Sequence, residues 1–409
     1  MMADFKASVD STTAGPDPEI LGVVLLAVDG GGKEILAHSS GFTSLDPDAN
    51  TIDKHSIFRL ASCTKLITAI ALLRLLSLPP FQPQDIQSAL DDPALITTHL
   101  PELAALDVIT SPPGSRMLTY SSRTQPPTLR HLLTHTSGVG YDIIDPRLRA
   151  WRKNRGERTM TLHGPLPEAV ATPLIFQPGE GWAYGGGLDW VGVFVERVCG
   201  RKFGVWLREE VFQVVGCDGG IGFAREEVEG EVVMVVTKGK GGGGLKEHRV
   251  KEQEPGVERG GGGLFSSAAN FAMILADIIS PAPKLLSPSI ADLLFIPQLT
   301  LSSPSLSSLQ ASASIFRSMS GPLMPENDVE SINHALGGMV VTKDNEALGK
   351  SKGTMTWGGA FNCMWFANRD RGVAGFYGSS MFPPGDEGSG ALMGGFLREV
   401  WGRIGEVED

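Results

Sequence analysis

Ser62 and Lys65 stand three positions apart in Ser62-Cys63-Thr64-Lys65. On a helix, positions i and i+3 share a face, so this spacing brings a hydroxyl and an amine within reach of each other. A serine is a poor nucleophile until a base takes its proton. A lysine can be that base only when its charged form is disfavoured, and burial does this. Leu66, Ile67 and Ala69 flank Lys65, so a dry neighbourhood is expected. A helix N-terminus also favours negative charge close by. The spacing alone is a weak signal, because about one Ser-x-x-Lys arises by chance in a chain of this composition. A surface lysine at a helix start would look the same.

A second candidate is Tyr184, in Pro178-Gly-Glu-Gly-Trp-Ala-Tyr184-Gly-Gly-Gly-Leu-Asp-Trp190. A tyrosine among glycines can lie in a cleft while backbone approaches closely. Its phenol could relay a proton between the serine oxygen and a leaving group; a packing tyrosine before a helix is the plainer alternative. The third is Met355-Thr-Trp357-Gly358-Gly359-Ala360-Phe361-Asn362. It reads as a strand edge whose glycines let a ligand lie against the backbone. A backbone N–H there could pair with that of Ser62 as an oxyanion hole. A β-bulge or a tight turn would read the same way.

His131 and His135 are spaced i, i+4 in Leu129-Arg-His131-Leu-Leu-Thr-His135-Thr-Ser137-Gly138. No glutamate follows the first histidine, as a zincin requires, and no third ligand is evident. The segment reads as a structural turn at Ser137-Gly138, and no metal site is expected. No Gly-x-Ser-x-Gly elbow and no P-loop occur, and the histidines suggest no Ser-His-Asp triad.

These residues need elements to hold them. Residues 4–10 predict a short helix, broken by Gly15-Pro16-Asp17-Pro18. Leu21 to Val28 reads as a buried strand, Asp29 to Gly32 as a hairpin turn and Lys33 to His38 as the returning strand. Phe58 to Leu76 carries Ser62 and Lys65 on a helix that is apolar almost all round, as interior helices are. Residues 80–230 are helical and loop-rich, with helices expected over 128–135, 188–199 and 203–215. The glycine run from Lys238 predicts a mobile, charged surface loop. Helices are expected over Ser266–Ile279 and Leu286–Leu294, and a long loop over 296–330. Strands return at Ala335–Val341, Met364–Asn368 and Gly372–Tyr377, and Gly388 to Trp401 closes with a helix.

Strands at both ends with helices between predict an α/β (α+β) fold: an antiparallel sheet built from both termini, flanked by helices, with a mostly helical subdomain inserted. The expected division is 1–60 with 260–409 for the sheet domain and 61–259 for the helical one, with the active site in the cleft between them. The 409 residues allow two or three folding units. A formal charge of −11 disfavours nucleic acid as a partner. The four cysteines are scattered and form no Cys-x-x-Cys pair, which reads as reduced thiols. The first twenty residues hold no apolar core of signal-peptide length. The longest apolar stretch, Leu66 to Leu78, is interrupted by Arg74 and too short to span a bilayer. No membrane association and a cytoplasmic location are expected.

Taken in order, these motifs resemble the serine β-lactamase and penicillin-binding-protein superfamily, on its class C and esterase side. Phe58-Arg-Leu-Ala-Ser62-Cys-Thr-Lys65 matches the first motif. Thr128 to Gly138 is a family landmark, and Gly261 to Ala269 and Leu286-Ser-Pro288 are weaker ones. Tyr184-Gly-Gly-Gly-Leu-Asp-Trp-Val-Gly192 looks closest to the fungal lovastatin-type acyltransferases, with Trp357 to Asn362 and Gly372-Val-Ala-Gly375 in support. The resemblance implies a β-lactamase/transpeptidase-like fold with Ser62 as nucleophile, Lys65 as base and Tyr184 as second acid/base. It implies the backbone amides of Ser62 and Ala360 as oxyanion hole, and Trp357, Gly358, Gly359 and Phe361 against the substrate. Two departures stand out. β-Lactamases carry Tyr-x-Asn where this chain has Gly186, and Lys-Thr-Gly where it has Trp357. Loss of that lysine argues against penicillin-like carboxylates and for neutral, apolar acyl groups.

The implied function is acyl transfer from an ester or thioester, through an acyl-enzyme on Ser62, to the hydroxyl of a small secondary metabolite. An esterase or lactonase would use the same residues, with water as acceptor. A catalytically silent binding protein is the third reading. The implied partners are a small-molecule acyl donor and an alcohol acceptor, with a carrier-protein-bound thioester as a further candidate donor. No cofactor and no metal are called for.

Overall fold

The structure is a computed structural model that describes residues 2–81, 85–115, 117–239, 243–313, 329–344 and 351–405. Its centre is a seven-stranded antiparallel sheet. In spatial order the strands are Ile332–His334, Met339–Val341, Met355–Gly358, Met364–Asn368, Val373–Gly378, Gly22–Asp29 and Glu34–Gly41. The chain's first strand thus pairs with the last strand of the sheet, Val24 opposite Gly378 and Asp29 opposite Val373. The sequence-predicted antiparallel sheet built from both termini is the one observed.

The continuous apolar run of the first strand follows from cover on both faces. Val24, Leu26 and Val28 join a core with Leu66 and Ile70 of the helix Thr64–Leu76 and with Phe271 and Leu275 of the helix Ala268–Ile279. Val23, Leu25 and Ala27 alternate onto the other face. There they meet Val9 of the helix Met2–Thr13 and Leu392, Phe396 and Leu397 of the helix Glu387–Gly405. The first core continues without a break into the helices of the middle of the chain, taking in Leu132, Trp190, Phe194 and Val211.

Several elements depart from the sequence reading. The helix expected over 128–135 is only Leu129–Leu133, because His135 sits at φ +58°, in the left-handed region. The expected strand Ala335–Val341 is two strands, Ile332–His334 and Met339–Val341, joined by a turn in which Ala335 N–H donates to Gly338 O at 2.7 Å. The expected loop over 296–330 contains a helix, Pro304–Ala311, capped by Ser303, whose Oγ accepts from Leu306 N–H at 3.1 Å; residues 314–328 lie outside the described residues. The glycine run from Lys238 closes a hairpin of Val236–Lys238 with Leu245–Glu247, and residues 240–242 are outside the described residues. Among the described residues, no helix is long and apolar enough to cross a membrane.

Candidate active site

Ser62 lies in a single 3-10 turn, Ala61–Cys63, that runs directly into the helix Thr64–Leu76. The strand Ile57–Arg59 delivers the chain to this turn. Ala61 then takes φ +43°, an uncommon conformation for a residue with a Cβ and the kind of local strain that clusters at functional sites. Every residue of the helix except Arg74 is buried, Lys65 included. The expected dry neighbourhood of Lys65 is therefore present.

Three candidate residues converge on one oxygen. Lys65 Nζ donates to Ser62 Oγ at 3.3 Å, and the Tyr184 hydroxyl donates to the same Oγ at 2.5 Å. Lys65 Nζ lies 4.6 Å from the Tyr184 ring centre. Lys65 Nζ also donates to Gly261 O at 2.5 Å and to the Tyr141 hydroxyl at 3.4 Å. The neighbouring thiol is no competitor for the nucleophile's role. Cys63 is fully buried, and burial, reinforced by Cys363, pushes its pKa well above the ordinary value, so little reactive thiolate forms.

Tyr184 is held by the turn that the His-Thr-Ser-Gly run makes. Ala183 N–H donates to His135 O at 3.0 Å, Gly179 N–H to Thr136 O at 2.8 Å and Ile175 N–H to Gly138 O at 2.9 Å. The glycines after Tyr184 are demanded by close approach. A Cβ on Gly185 would sit 2.0 Å from Val139 O, and one on Gly187 would sit 2.5 Å from Leu132 O. Tyr184 is only 8% exposed, a buried side chain where the sequence suggested an open cleft.

Trp357 is buried at the end of the strand Met355–Gly358, its ring centre 5.4 Å from that of Tyr184. Gly359 follows, with a position where a Cβ would meet Leu60 O at 2.4 Å. The strand end therefore packs directly on the nucleophile turn. The tight turn beyond it uses the N–H groups of Gly359, donating to Cys363 O at 2.7 Å, and of Asn362, donating to Gly359 O at 3.1 Å. Ala360 lies inside that turn. Gly358 pairs with Met364 in the sheet. Phe361 is half-buried and its ring neighbour is Phe382, 6.4 Å away.

The two histidines resolve differently. His131 completes a capping box: its N–H donates to Thr128 Oγ1 and its Nδ1 accepts from Thr128 N–H. His135 is buried in a ring cluster with Trp182, Tyr184, His334 and Trp357, at centroid distances of 5.6, 5.1, 5.5 and 6.2 Å. Burial, then the nearby His334 and Lys65, drives its pKa well down, so the ring is neutral. Together with Lys65, Trp357 and Leu336, His135 and His334 line a cavity of about 10 Å³, room for roughly one water-sized group. Among the described residues, no cluster of three or more His, Cys, Asp or Glu side chains is arranged to hold a metal ion.

Tyr141, Asp189 and His334 were not picked out as site residues from the sequence. Tyr141 is buried, and burial, followed by the charge of Asp189 and the neighbouring Tyr184, raises its pKa well above the ordinary value; its phenol stays protonated. Its only sequence signal is its place just after the Ser137-Gly138 turn.

A family model described as Beta-lactamase matches residues 10–393. The acyltransferase calJ of Penicillium decumbens is 32% identical, with the whole of both chains covered. The lovastatin esterase of Penicillium rubens is 29% identical over 92% of this chain and 91% of its own length. Among solved structures, a mutant of the simvastatin synthase of Aspergillus terreus superposes with a TM-score of 0.82 at 25% identity, covering 99% of this chain and 94% of its own. Full-length coverage by proteins of one fold and two related activities leaves one assignment. The chain belongs to the β-lactamase family, has the family's fold, and is an enzyme of the acyltransferase and ester-hydrolase kind found among its fungal members.

Proposed function

We propose that the protein transfers an acyl group from an ester or thioester to the hydroxyl of a small secondary metabolite, with Ser62 as the acylated residue. The observation that supports this best is the double hydrogen bond on Ser62 Oγ from Lys65 and Tyr184. In the first half-reaction Ser62 Oγ bonds to the acyl carbon while neutral Lys65 takes the hydroxyl proton. Tyr184 gives its proton to the departing thiolate or alkoxide and is reprotonated from Lys65. The backbone N–H groups of Ser62 and Ala360 hold the carbonyl oxygen as it becomes negative. In the second half-reaction the acceptor hydroxyl attacks the acyl carbon, its proton returns to the same pair, and the Ser62 hydroxyl is restored.

Trp357 and its glycines supply an apolar wall, and Phe361 flanks the substrate further out. Similarity to the monacolin J acid methylbutanoyltransferase of Aspergillus terreus supports a small-molecule acceptor of that kind, and a carrier-protein-bound thioester is the proposed donor to test beside small thioesters. We further propose the division into residues 1–60 with 260–409 and residues 61–259, the site lying in the cleft between them, and a cytoplasmic location. Hydrolysis is the second reading, favoured by the likeness to the lovastatin esterase. Exclusion of water separates the two.

The test is intact-mass detection after mixing with a panel of acyl thioesters and esters. One acyl mass is expected on the wild type and none on Ser62→Ala. An adduct that persists in Ser62→Ala places the nucleophile elsewhere. Adding candidate alcohols should discharge the adduct into ester product faster than water does. If water always wins, the hydrolase reading replaces the transferase one.

A further inference from the structure

Lys65 makes its shortest hydrogen bond to the carbonyl of Gly261, not to the serine. The other end of that residue is held as well: Gly261 N–H donates to Asp189 Oδ1 at 2.9 Å. Asp189 is 2% exposed and lies in the first turn of the helix Gly187–Cys199, where the helix dipole favours a carboxylate. Among the described residues no lysine or arginine lies within 4.0 Å of it. Space is closed around the contact: a Cβ on Gly261 would sit 2.8 Å from the Asp189 carboxylate, and one on Gly260 would sit 2.4 Å from Leu188 O. A buried carboxylate without an adjacent cation is costly unless hydrogen bonds or a nearby charge compensate it. Lys65 lies on the far side of the Gly261 peptide from Asp189.

We propose that Asp189 is a positioning residue that acts on Lys65 through Gly261. The carboxylate fixes the Gly260–Gly263 turn, and that turn's carbonyl aims Lys65 Nζ at Ser62 Oγ. Its negative charge also biases the proton between Lys65 and its phenolic neighbours. The ionisable side chains facing Lys65 are Cys63 from the turn that carries Ser62, Tyr141 from the turn after Gly138, Tyr184 from the glycine-rich strap and, across the small cavity, His135 and His334. Among the described residues, Asp189 is the carboxylate hydrogen-bonded to a residue that itself bonds Lys65. It sits five residues after Tyr184, so one segment presents the acid/base tyrosine and restrains the base. This inference rests on the reading that Ser62 is acylated.

Asp189→Asn tests it, because the amide oxygen still accepts from Gly261 N–H and only the charge is lost. The limiting rate of acyl-adduct formation, read above the pH limb, should fall roughly 10–100-fold, because a neutral amide holds the Gly261 N–H less strongly than a carboxylate does, with little change in the thioester concentration giving half-maximal rate. The alkaline-rising limb of the rate against pH should move to lower pH. Losing a nearby negative charge favours the deprotonated form whether amine or phenol gives up the proton. Asp189→Ser, whose Oγ is one bond short of the carboxylate oxygens, loses the Gly261 bond as well as the charge; it should be at least as slow, with the limb moved the same way, and serves if the Asn variant is unstable. Wild-type rates in both variants, or slow rates with an unmoved pH limb, overturn the proposal. Absence of any adduct on wild-type Ser62 would instead overturn the underlying reading.

Discussion

Lys65 and Tyr184 both bond to Ser62 Oγ, and the proposed mechanism, which makes the three one unit, predicts steep mutational losses. Replacing Lys65 by Ala removes the proposed base and should lower acylation by about 10²–10⁴-fold, the usual contribution of a positioned acid or base. Tyr184→Phe keeps the ring against His135 and Trp357 but removes the bond to Ser62 Oγ. It should lose most turnover while folding normally; an unaffected turnover number would take Tyr184 out of the mechanism. At this scale the sequence was informative in an uneven way. Ser62 sits in the 3-10 turn that runs directly into the helix carrying Lys65, so their juxtaposition follows from spacing. Tyr184 is 122 positions from Ser62, and no local rule brings it there. Tyr141 and Asp189 carry no motif chemistry of their own, because one is a phenol in a turn and the other acts through a peptide group.

The strap that carries Tyr184 is held by backbone bonds to the 135–138 turn and by glycines that tolerate no side chain. This ranks two neighbouring substitutions. In Gly185→Ala the new methyl would meet backbone, Val139 O at 2.0 Å and Gly140 Cα at 2.7 Å. In Gly186→Ala it would meet chiefly the Val170 side chain at 2.7 Å, which can rotate. Thermal or denaturant unfolding should show Gly185→Ala destabilised by about 1–3 kcal/mol or more, with acylation slowed, and Gly186→Ala affected less. The reverse order would mean that the strap is not positioned by that backbone contact. The glycine run was visible in the sequence, but its partner was not. The same holds for His135, whose i, i+4 spacing with His131 suggests a shared helix face. The helix ends before it, and His131 is a cap while His135 joins the ring cluster.

Across the whole molecule, burial of imidazoles ties stability to pH. His334 is fully buried, its Nδ1 2.6 Å from Ala335 O, and burial lowers its pKa from 6.5 to about 4. The unfolded chain therefore takes up protons below about pH 6.5 that the folded protein refuses, and stability falls as pH drops. For His334 alone the loss is about 2 kcal/mol at pH 5 relative to neutral pH. His135 contributes in the same direction. Denaturant unfolding of wild type and His334→Phe at pH 7.5 and pH 5 should show the smaller drop in the variant. Equal drops would mean that His334 protonates freely in the folded state. This coupling was invisible in the sequence, since neither histidine has a charged neighbour in the chain to mark it.

What the linear sequence determined by itself is what short-range physics controls. The i, i+3 spacing joins Ser62 to Lys65, continuous apolar runs mark the two-faced strand and the interior helix, and glycine clusters mark close approach. Motif order added the family resemblance and, through Gly186 and Trp357, the expectation of neutral acyl groups in place of β-lactam carboxylates. Only the tertiary structure decided what depends on contacts between distant segments. It alone brought the Tyr184 hydroxyl to Ser62 Oγ, Asp189 to the Gly261 peptide behind Lys65, and His135 against His334 and Trp357. Those contacts arise from antiparallel pairing of the two chain ends and from one core shared with the central helices. Neither has a local signature, because the closure of so long a loop is set by packing and not by neighbours in the chain.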